Sequence, residues 1–514
     1  MGLGRTWTVS LLGLVGHLVE VEAHKSSGLP AFALVGLPDT AVNEARERVR
    51  AAVTSSSVAW PNDRMTVNLS PASLPKTGTG LDLALAVAVL VAAGLPAQER
   101  AARTVHLGEL GLDGRLHPVR GILPAVSAAV GAGRTEVVVP AENAAEAGLV
   151  PGAQVRPVEH LADLIVDYGG EARRPDGAAP EPPPSPPPPE PGVCPDLKDV
   201  RGQDEARFAL EVAAAGGHHL FLLGAPGTGK SMLAARLPGL LPDLPEPDAV
   251  EVSAVHSVAG TLDAAAGLLR RPPFEDPHHT ATAAAVVGGG TGFPRPGAVS
   301  RAHRGVLLLD EAPEFQPRVL QTLRQPLEHG ELVLQRASGS ARYPARFQLV
   351  LAANPCPCGK AIGKGRACRC TPLERRRYLG RLSGPLLDRI DIQVDVPPVT
   401  RASLALAEDA ESSATVAERV AAARERQHHR LAGTGWRTNA EVPGSWLRSD
   451  DGGLPTDVRV SLERALDRGA LSMRGVDRVL RVAWTLADLA GQERPTVTDV
   501  GTTLALRTRG STDA

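Results

Sequence analysis

Residues 224 to 231 read Gly224-Ala225-Pro226-Gly227-Thr228-Gly229-Lys230-Ser231, after the apolar run Leu220-Phe221-Leu222-Leu223 and before a helical pattern that begins at Met232. Strand, glycine-rich turn and helix start, in that order, constrain the chain to an α/β sheet with a phosphate cradle at one strand end. The glycines let backbone N–H groups turn inward around the β- and γ-phosphates. Lys230 adds a positive charge, Ser231 offers its hydroxyl to Mg²⁺, and the helix N-terminus adds a partial positive charge. ATP and Mg²⁺ are the ligands this pattern calls for.

About eighty residues on, Gly305-Val306-Leu307-Leu308-Leu309 ends in Asp310-Glu311. A buried strand that delivers two acids to the sheet edge is what Mg²⁺-assisted phosphoryl transfer needs. Asp310 is expected to hold the metal through its water shell or Ser231, and Glu311 to polarise the attacking water. The strand Phe347 to Ala353 ends at Asn354, whose neutral amide can bond both the γ-phosphate and the water, the role called sensor 1. Arg389, in Leu386-Leu387-Asp388-Arg389-Ile390-Asp391 before a strand at Ile392 to Val396, looks like an arginine finger offered to a neighbouring subunit; the alternative is local pairing with Asp388 or Asp391. Ser472-Met473-Arg474-Gly475 opens a helix and places Arg474 as sensor 2. A helix is expected from Gln203 to Ala215, a second strand from Val250 to Ser257, and a helical remainder from 411 to 507 with apolar positions such as Val416, Val420, Val479, Leu480 and Trp484.

At 514 residues the chain has room for about three domains. Its formal charge of −2 gives no global bias, so any nucleic-acid surface must be local. Such a patch exists: Lys360, Lys364, Arg366, Arg369, Arg375, Arg376, Arg377, Arg381 and Arg389 face only Glu374 and Asp388 between Cys356 and Arg389. Phe293 and Arg295, in a glycine-rich insert from Gly288 to Gly297, are further candidates to touch a DNA strand. Aromatic residues are only 3% of the chain, so tracking of the backbone by cations fits better than base stacking. A solvated surface or a subunit interface is the competing reading of the patch. The N-terminus has no signal-peptide pattern, and no stretch reaches the ~20 apolar residues of a membrane span, so a cytoplasmic protein is expected.

Four of the five cysteines, Cys356, Cys358, Cys368 and Cys370, fall within fifteen residues. Four thiolates at this spacing can close a tetrahedral structural zinc site, with reduced thiols as the alternative. Cys194 stands alone and reads as an incidental thiol.

Residues 1 to 170 form a separate α/β pattern. Strands are expected at Trp7 to Leu14, Leu18 to Ala23, Phe32 to Val35, Met65 to Leu69, His106 to Leu110 and Glu136 to Pro140. Helices are expected from Thr40, capped by Asp39, over the apolar residues 81 to 93, and from Ile122 to Ala132. Residues 171 to 195 contain Pro182-Pro183-Pro184-Ser185-Pro186-Pro187-Pro188-Pro189, an extended spacer.

The stretch Leu107-Gly108-Glu109-Leu110 through Gly114, Gly121, Ala128-Ala129, Gly133 and Val139-Pro140-Ala141-Glu142-Asn143 resembles the proteolytic domain of Lon-type proteases. The chemistry does not follow the likeness, because Gly80 stands where that family has its serine. Arg120 is the only cation near the place of its lysine, and a guanidinium cannot readily serve as base. Ser70 or Ser73 with Lys76 could pair, but a turn with an exposed lysine is the plainer expectation. Pro277-His278-His279-Thr280, Val287-Gly288-Gly289-Gly290, Ser300, His303, Leu323-Arg324-Gln325-Pro326-Leu327-Glu328, Ala353-Asn354-Pro355-Cys356-Pro357-Cys358-Gly359 and Ser383 to Asp391 resemble the magnesium-chelatase-like AAA+ group, and within it the YifB family. Arg301 departs from that pattern, which has an apolar residue there.

The resemblance implies a non-proteolytic Lon-like domain (1–170), a Pro-rich linker (171–195), an AAA+ core (196–400) with the cysteine insert at 356–370, and a helical lid (401–514). It also implies a ring, a homohexamer, that hydrolyses ATP while moving on single-stranded or branched DNA and drives branch migration. A chelatase-type ATPase that remodels a protein partner, and more remotely an ATP-dependent protease, stay open as alternatives.

Overall fold

The computed structural model describes residues 2–175, 195–290, 294–336, 339–361, 367–400, 410–449, 454–468 and 471–507. Cys194, Phe293, Lys364, Arg366 and nearly all of the proline-rich spacer lie outside these residues.

The chain opens with an antiparallel hairpin, β1 (Gly2–Leu12) and β2 (Val15–Ser26). To it are added β3 (Ala31–Val35), β4 (Arg64–Ser70), β5 (Val105–His106), β8 (Glu136–Pro140) and β9 (Gln154–Val158), while β6 (Glu109–Leu110) and β7 (Leu116–His117) form a small hairpin apart. The order in the seven-stranded sheet is β3-β4-β2-β1-β5-β8-β9. The expected single strand from His106 to Leu110 is thus two. Gly108 leaves the ladder because its N–H donates to Gly80 O (3.0 Å) and its carbonyl accepts from Leu83 (3.1 Å), which ties it to the start of a helix earlier in the chain.

That helix, Asp82–Ala93, has all but its last residue buried and lies against β1 and β2. It approaches so closely that a Cβ on Gly4 would sit 2.1 Å from Ala88 O. Its first residue, Asp82, is fully buried, and burial pushes its carboxyl up while the Arg48 guanidinium pulls it down through two bonds of 2.7 and 2.9 Å. Arg48 comes from the helix Thr40–Ser55, whose first turn is capped by Asp39 as expected. An Arg48→Ala variant leaves a buried charge unpaired and is expected to cost about 3–5 kcal/mol, read by calorimetry as a lower melting temperature of this part of the chain.

Lys76 is not exposed, as the sequence suggested, but fully buried. Its ammonium donates to the Pro71 carbonyl, not to a serine hydroxyl, and burial lowers its pKa. Arg120 also has a structural partner: it donates to Ala259 O (3.3 Å), at the end of a helix in the second half of the chain. Beside it Gly121 N donates to Ser257 O (3.2 Å), and the Ser257 hydroxyl donates to Glu146.

The helix so contacted, Glu246–Ala259, replaces the strand expected at Val250 to Ser257. Glu246, Pro247 and Asp248 suit a first helical turn, and Gly260 at φ 77° suits the stop. Val252 and Val255 are buried, and Ala254 joins the cluster around Ile122 and Val126, so packing outweighs the β-preference of valine.

The second sheet is built from β10 (Leu220–Gly224), β11 (Phe274–Glu275), β14 (Val306–Leu309), β17 (Gln348–Ala353) and β18 (Ile392–Val396), all parallel. Two hairpins are inserted: β12 (Gly288–Gly289) with β13 (Arg295–Pro296), and β15 (Glu331–Arg336) with β16 (Gly339–Pro344). The order β11-β14-β17-β10-β18 sets the ends of β10, β14 and β17 side by side at the carboxyl edge, where ligands of open α/β sheets bind. Arg301 clamps the short edge strand β11 with two bonds to Glu275 (2.8 and 2.7 Å), which accounts for a cation at that position.

The helices Ser413–Arg430, Thr456–Asp467, Met473–Ala490 and Val497–Ala505 complete the fold, as the 411–507 pattern predicted. They share a core with the sheet: Val416, Val420, Val482 and Leu486 pack with Leu210, Leu220, Val350 and Val394. Buried His218, just before β10, bridges Asp391 (3.0 Å) and Thr485 (2.8 Å), and Asn439 donates to Thr485 (3.0 Å) and Asp488 (2.8 Å).

Candidate nucleotide site

The loop after β10 turns at Gly227 (φ 78°) and Gly229 (φ 92°), and the helix Lys230–Ala234 begins directly after it. Thr228 closes the turn with a bond to Ala225 O (3.0 Å). Gln203, at the start of the helix Asp204–Gly216, donates to Thr228 O (3.3 Å) and Pro397 O (2.7 Å), which holds the loop between β10 and β18.

Lys230 donates to Gly224 O (2.8 Å), Ala225 O (2.9 Å) and Asn354 Oδ1 (3.1 Å). Its ammonium is therefore set between the loop and the end of β17. Burial lowers its pKa, against the pull of Asp310 and Glu311. Ser231 donates to Asp310 Oδ2 (2.5 Å), so the hydroxyl and the carboxylate proposed for Mg²⁺ adjoin each other. This hydroxyl and carboxylate are hard oxygen donors of the kind Mg²⁺ takes, together with water and phosphate oxygens.

After Asp310 the backbone turns through the left-handed region at Glu311 (φ 50°), with Glu311 N donating to Asp310 Oδ1 (2.8 Å). The Glu311 carboxylate meets His279 Nδ1 at 3.2 Å. His279 had no role assigned from the sequence; it stands in the Pro277-His278-His279-Thr280 motif that follows β11, a strand too short to show a period.

Arg389 and Arg474 belong to another constellation. Arg389 is ion-paired with Glu328, so it pairs with neither Asp388 nor Asp391. Asp388 instead faces Arg474 (3.5 Å) and Arg478 (3.6 Å), and Asp391 faces His218. Burial, then the charges of Arg324, Arg474 and Arg478, lower the pKa of Arg389. Three guanidiniums, those of Arg389, Arg474 and Arg478, thus share Glu328 and Asp388, while Arg324 donates to the Ser383 hydroxyl (3.2 Å). The sequence gives no role to Arg324 or Arg478, whose charges come to bear on Arg389 only through folding. Arg474 is 77% exposed and follows Ser472, whose side chain caps the helix Met473–Ala490.

Arg295 on β13, Lys360 and Arg369 are exposed, as are Arg376 and Arg377 on the helix Pro372–Leu379. Arg381 is ion-paired with Glu314 (3.2 Å). The four sulfurs of Cys356, Cys358, Cys368 and Cys370 lie within 4.8 Å of one another. The Lys360 backbone N–H and the Cys356 thiol hold Cys358 down to about 6.

A parallel sheet with a phosphate loop on one strand, acids ending a second and an amide ending a third defines an AAA+ domain. Three family models cover the chain: magnesium chelatase, subunit ChlI, over residues 196–404; subunit ChlI of Mg-chelatase over 21–143; and the subunit ChlI C-terminal model over 410–507. A Mycobacterium tuberculosis protein is 53% identical over 99% of this chain and 100% of its own length. YifB of Escherichia coli is 41% identical over 95% of this chain and 94% of its own, and the competence protein ComM of Haemophilus influenzae is 40% identical over 96% and 95%. The chain belongs to the magnesium-chelatase-like AAA+ family that contains YifB and ComM.

Proposed function

We propose that the chain is an Mg²⁺-dependent ATPase that works as a homohexameric ring in the cytoplasm and couples hydrolysis to movement on single-stranded or branched DNA, driving branch migration. The observation that carries the ATPase is the meeting of Lys230 with Asn354 and of Ser231 with Asp310, which brings the ends of three adjacent strands to one point. In this reading Gly224 to Ser231 hold the phosphates. Ser231 and Asp310 hold Mg²⁺, Glu311 polarises water, and Asn354 senses the γ-phosphate. Arg389 and Arg474 meet the nucleotide of the adjoining subunit or the lid side of their own.

The DNA part rests on the likeness to ComM over nearly the full length and on the exposed cations Arg295, Lys360 and Arg369. Residues 1–170 act in it as a scaffold without peptidase chemistry, since Lys76 and Arg120 are both held by backbone carbonyls. ATP turnover is expected to rise on addition of single-stranded or branched DNA and to lose that rise as salt increases, because contacts to phosphate release counterions. Turnover that ignores every DNA tested would move the function to remodelling of a protein partner, as a chelatase-type ATPase does.

A further inference from the structure

The cysteine cluster lies at the nucleotide site. Asn354, which accepts from Lys230, is separated from Cys356 by Pro355 alone. Gly359, one residue after Cys358, has φ 71° and packs on the phosphate loop, where a Cβ would sit 2.5 Å from Pro226 Cδ. Gly359 N donates to Cys356 O (2.9 Å), which closes the turn that carries both. On the far side of the cluster, Cys370 leads through Thr371 into the helix Pro372–Leu379.

The donor set fits a soft tetrahedral cation. Zn–S bonds of about 2.3 Å imply sulfur separations of about 3.8 Å. Cys356 to Cys358, Cys356 to Cys368 and Cys358 to Cys368 stand at 3.4, 3.7 and 3.6 Å, with Cys370 inside the same 4.8 Å sphere. Four sulfurs leave no open position, so the ion would be structural.

We infer that Zn²⁺ held by Cys356, Cys358, Cys368 and Cys370 fixes the turn at Gly359 against Pro226, so that metal loading sets the affinity of the phosphate loop for nucleotide. The inference rests on the reading of Gly224 to Ser231 as the ATP site. The cluster then acts on the nucleotide through a van der Waals contact and the Asn354 backbone, with no metal chemistry in the reaction itself.

The test uses the full chain, with zinc content measured by mass spectrometry and affinity by a fluorescent ADP analogue. Isolated protein is expected to hold about one Zn²⁺ per chain. Stripping it with a chelator is expected to weaken nucleotide binding about tenfold, the scale on which outer supports of a site act, and adding Zn²⁺ back should restore it. Gly359→Ala should keep the zinc and weaken nucleotide binding, which separates the contact from the metal. Cys368→Ser with Cys370→Ser should lose both. Absence of bound zinc, or equal nucleotide affinity with and without it, would overturn the inference while leaving the ATP site intact. Zinc-loaded protein that binds no nucleotide would instead sink the ATP-site reading, and the coupling with it.

Discussion

Replacing Arg389 by alanine is expected to lower ATP turnover by about 10³-fold or more, the range seen when a guanidinium that stabilises a transferring phosphoryl group is removed. Nucleotide affinity of the isolated chain should change little. The charges that act on Lys230 are those of Asp310 and Glu311, whereas Arg389 sits among Arg324, Arg474, Arg478 and Glu328. The two groups are distinct within one chain, as a finger offered to a neighbour requires. Mixing decides the matter. Arg389→Ala chains retain an intact loop and Lys230→Ala chains an intact Arg389, so in the proposed ring mixtures of the two should recover turnover that neither variant shows alone. No recovery at any ratio would mean that Arg389 serves its own chain or none.

The second large effect is at Glu311. Glu311→Gln keeps size and backbone but removes the charge proposed to polarise water, and turnover should fall by about 10²–10⁴-fold. ATP should still bind, since Lys230, Ser231 and Asp310 are untouched. Quenched-flow measurement of a single turnover with bound nucleotide quantified separately distinguishes loss of chemistry from loss of binding. Equal falls in both would assign Glu311 to the loop's architecture, where its left-handed backbone already gives it a structural part.

A sequence shows its fold only where the signal resides in neighbouring residues. The phosphate loop, Asp310 and Asn354 lie at the ends of long apolar runs, and β10, β14 and β17 stand where those runs are. Buried parallel strands read as unbroken hydrophobic stretches, so their ends are visible. The strand expected at Val250 to Ser257 gives way to a helix because the valines from Val250 to Val258 imitate a strand, while the edge strand Phe274–Glu275 is too short to show a period. Burial on two sides is a property of the neighbours, and the sequence of the helix alone does not carry it. The same holds for Lys76, whose carbonyl partner is set by the turn around it. His279 against Glu311, Arg389 against Glu328, and Arg474 and Arg478 against Asp388 are long-range meetings with no local trace.

The shared core of sheet and C-terminal helices bears on how the protein comes to be made. Leu220 of β10 packs in one cluster with Val416, Val482 and Leu506, and Gln393 N of β18 donates to Leu506 O (2.8 Å) near the end of the described chain. Family models divide at residues 404 and 410, yet the apolar interior runs across that border. On a ribosome, the strand that leads to the phosphate loop emerges long before the residues that cover it. Between the two moments His218 and Glu211 wait without Thr485 and Arg419, their partners across that border. The second sheet therefore cannot reach its final packing until the helices from Ser413 to Ala505 have been synthesised, and a ribosome stalled near residue 400 would hold that sheet with one face still open to chaperones.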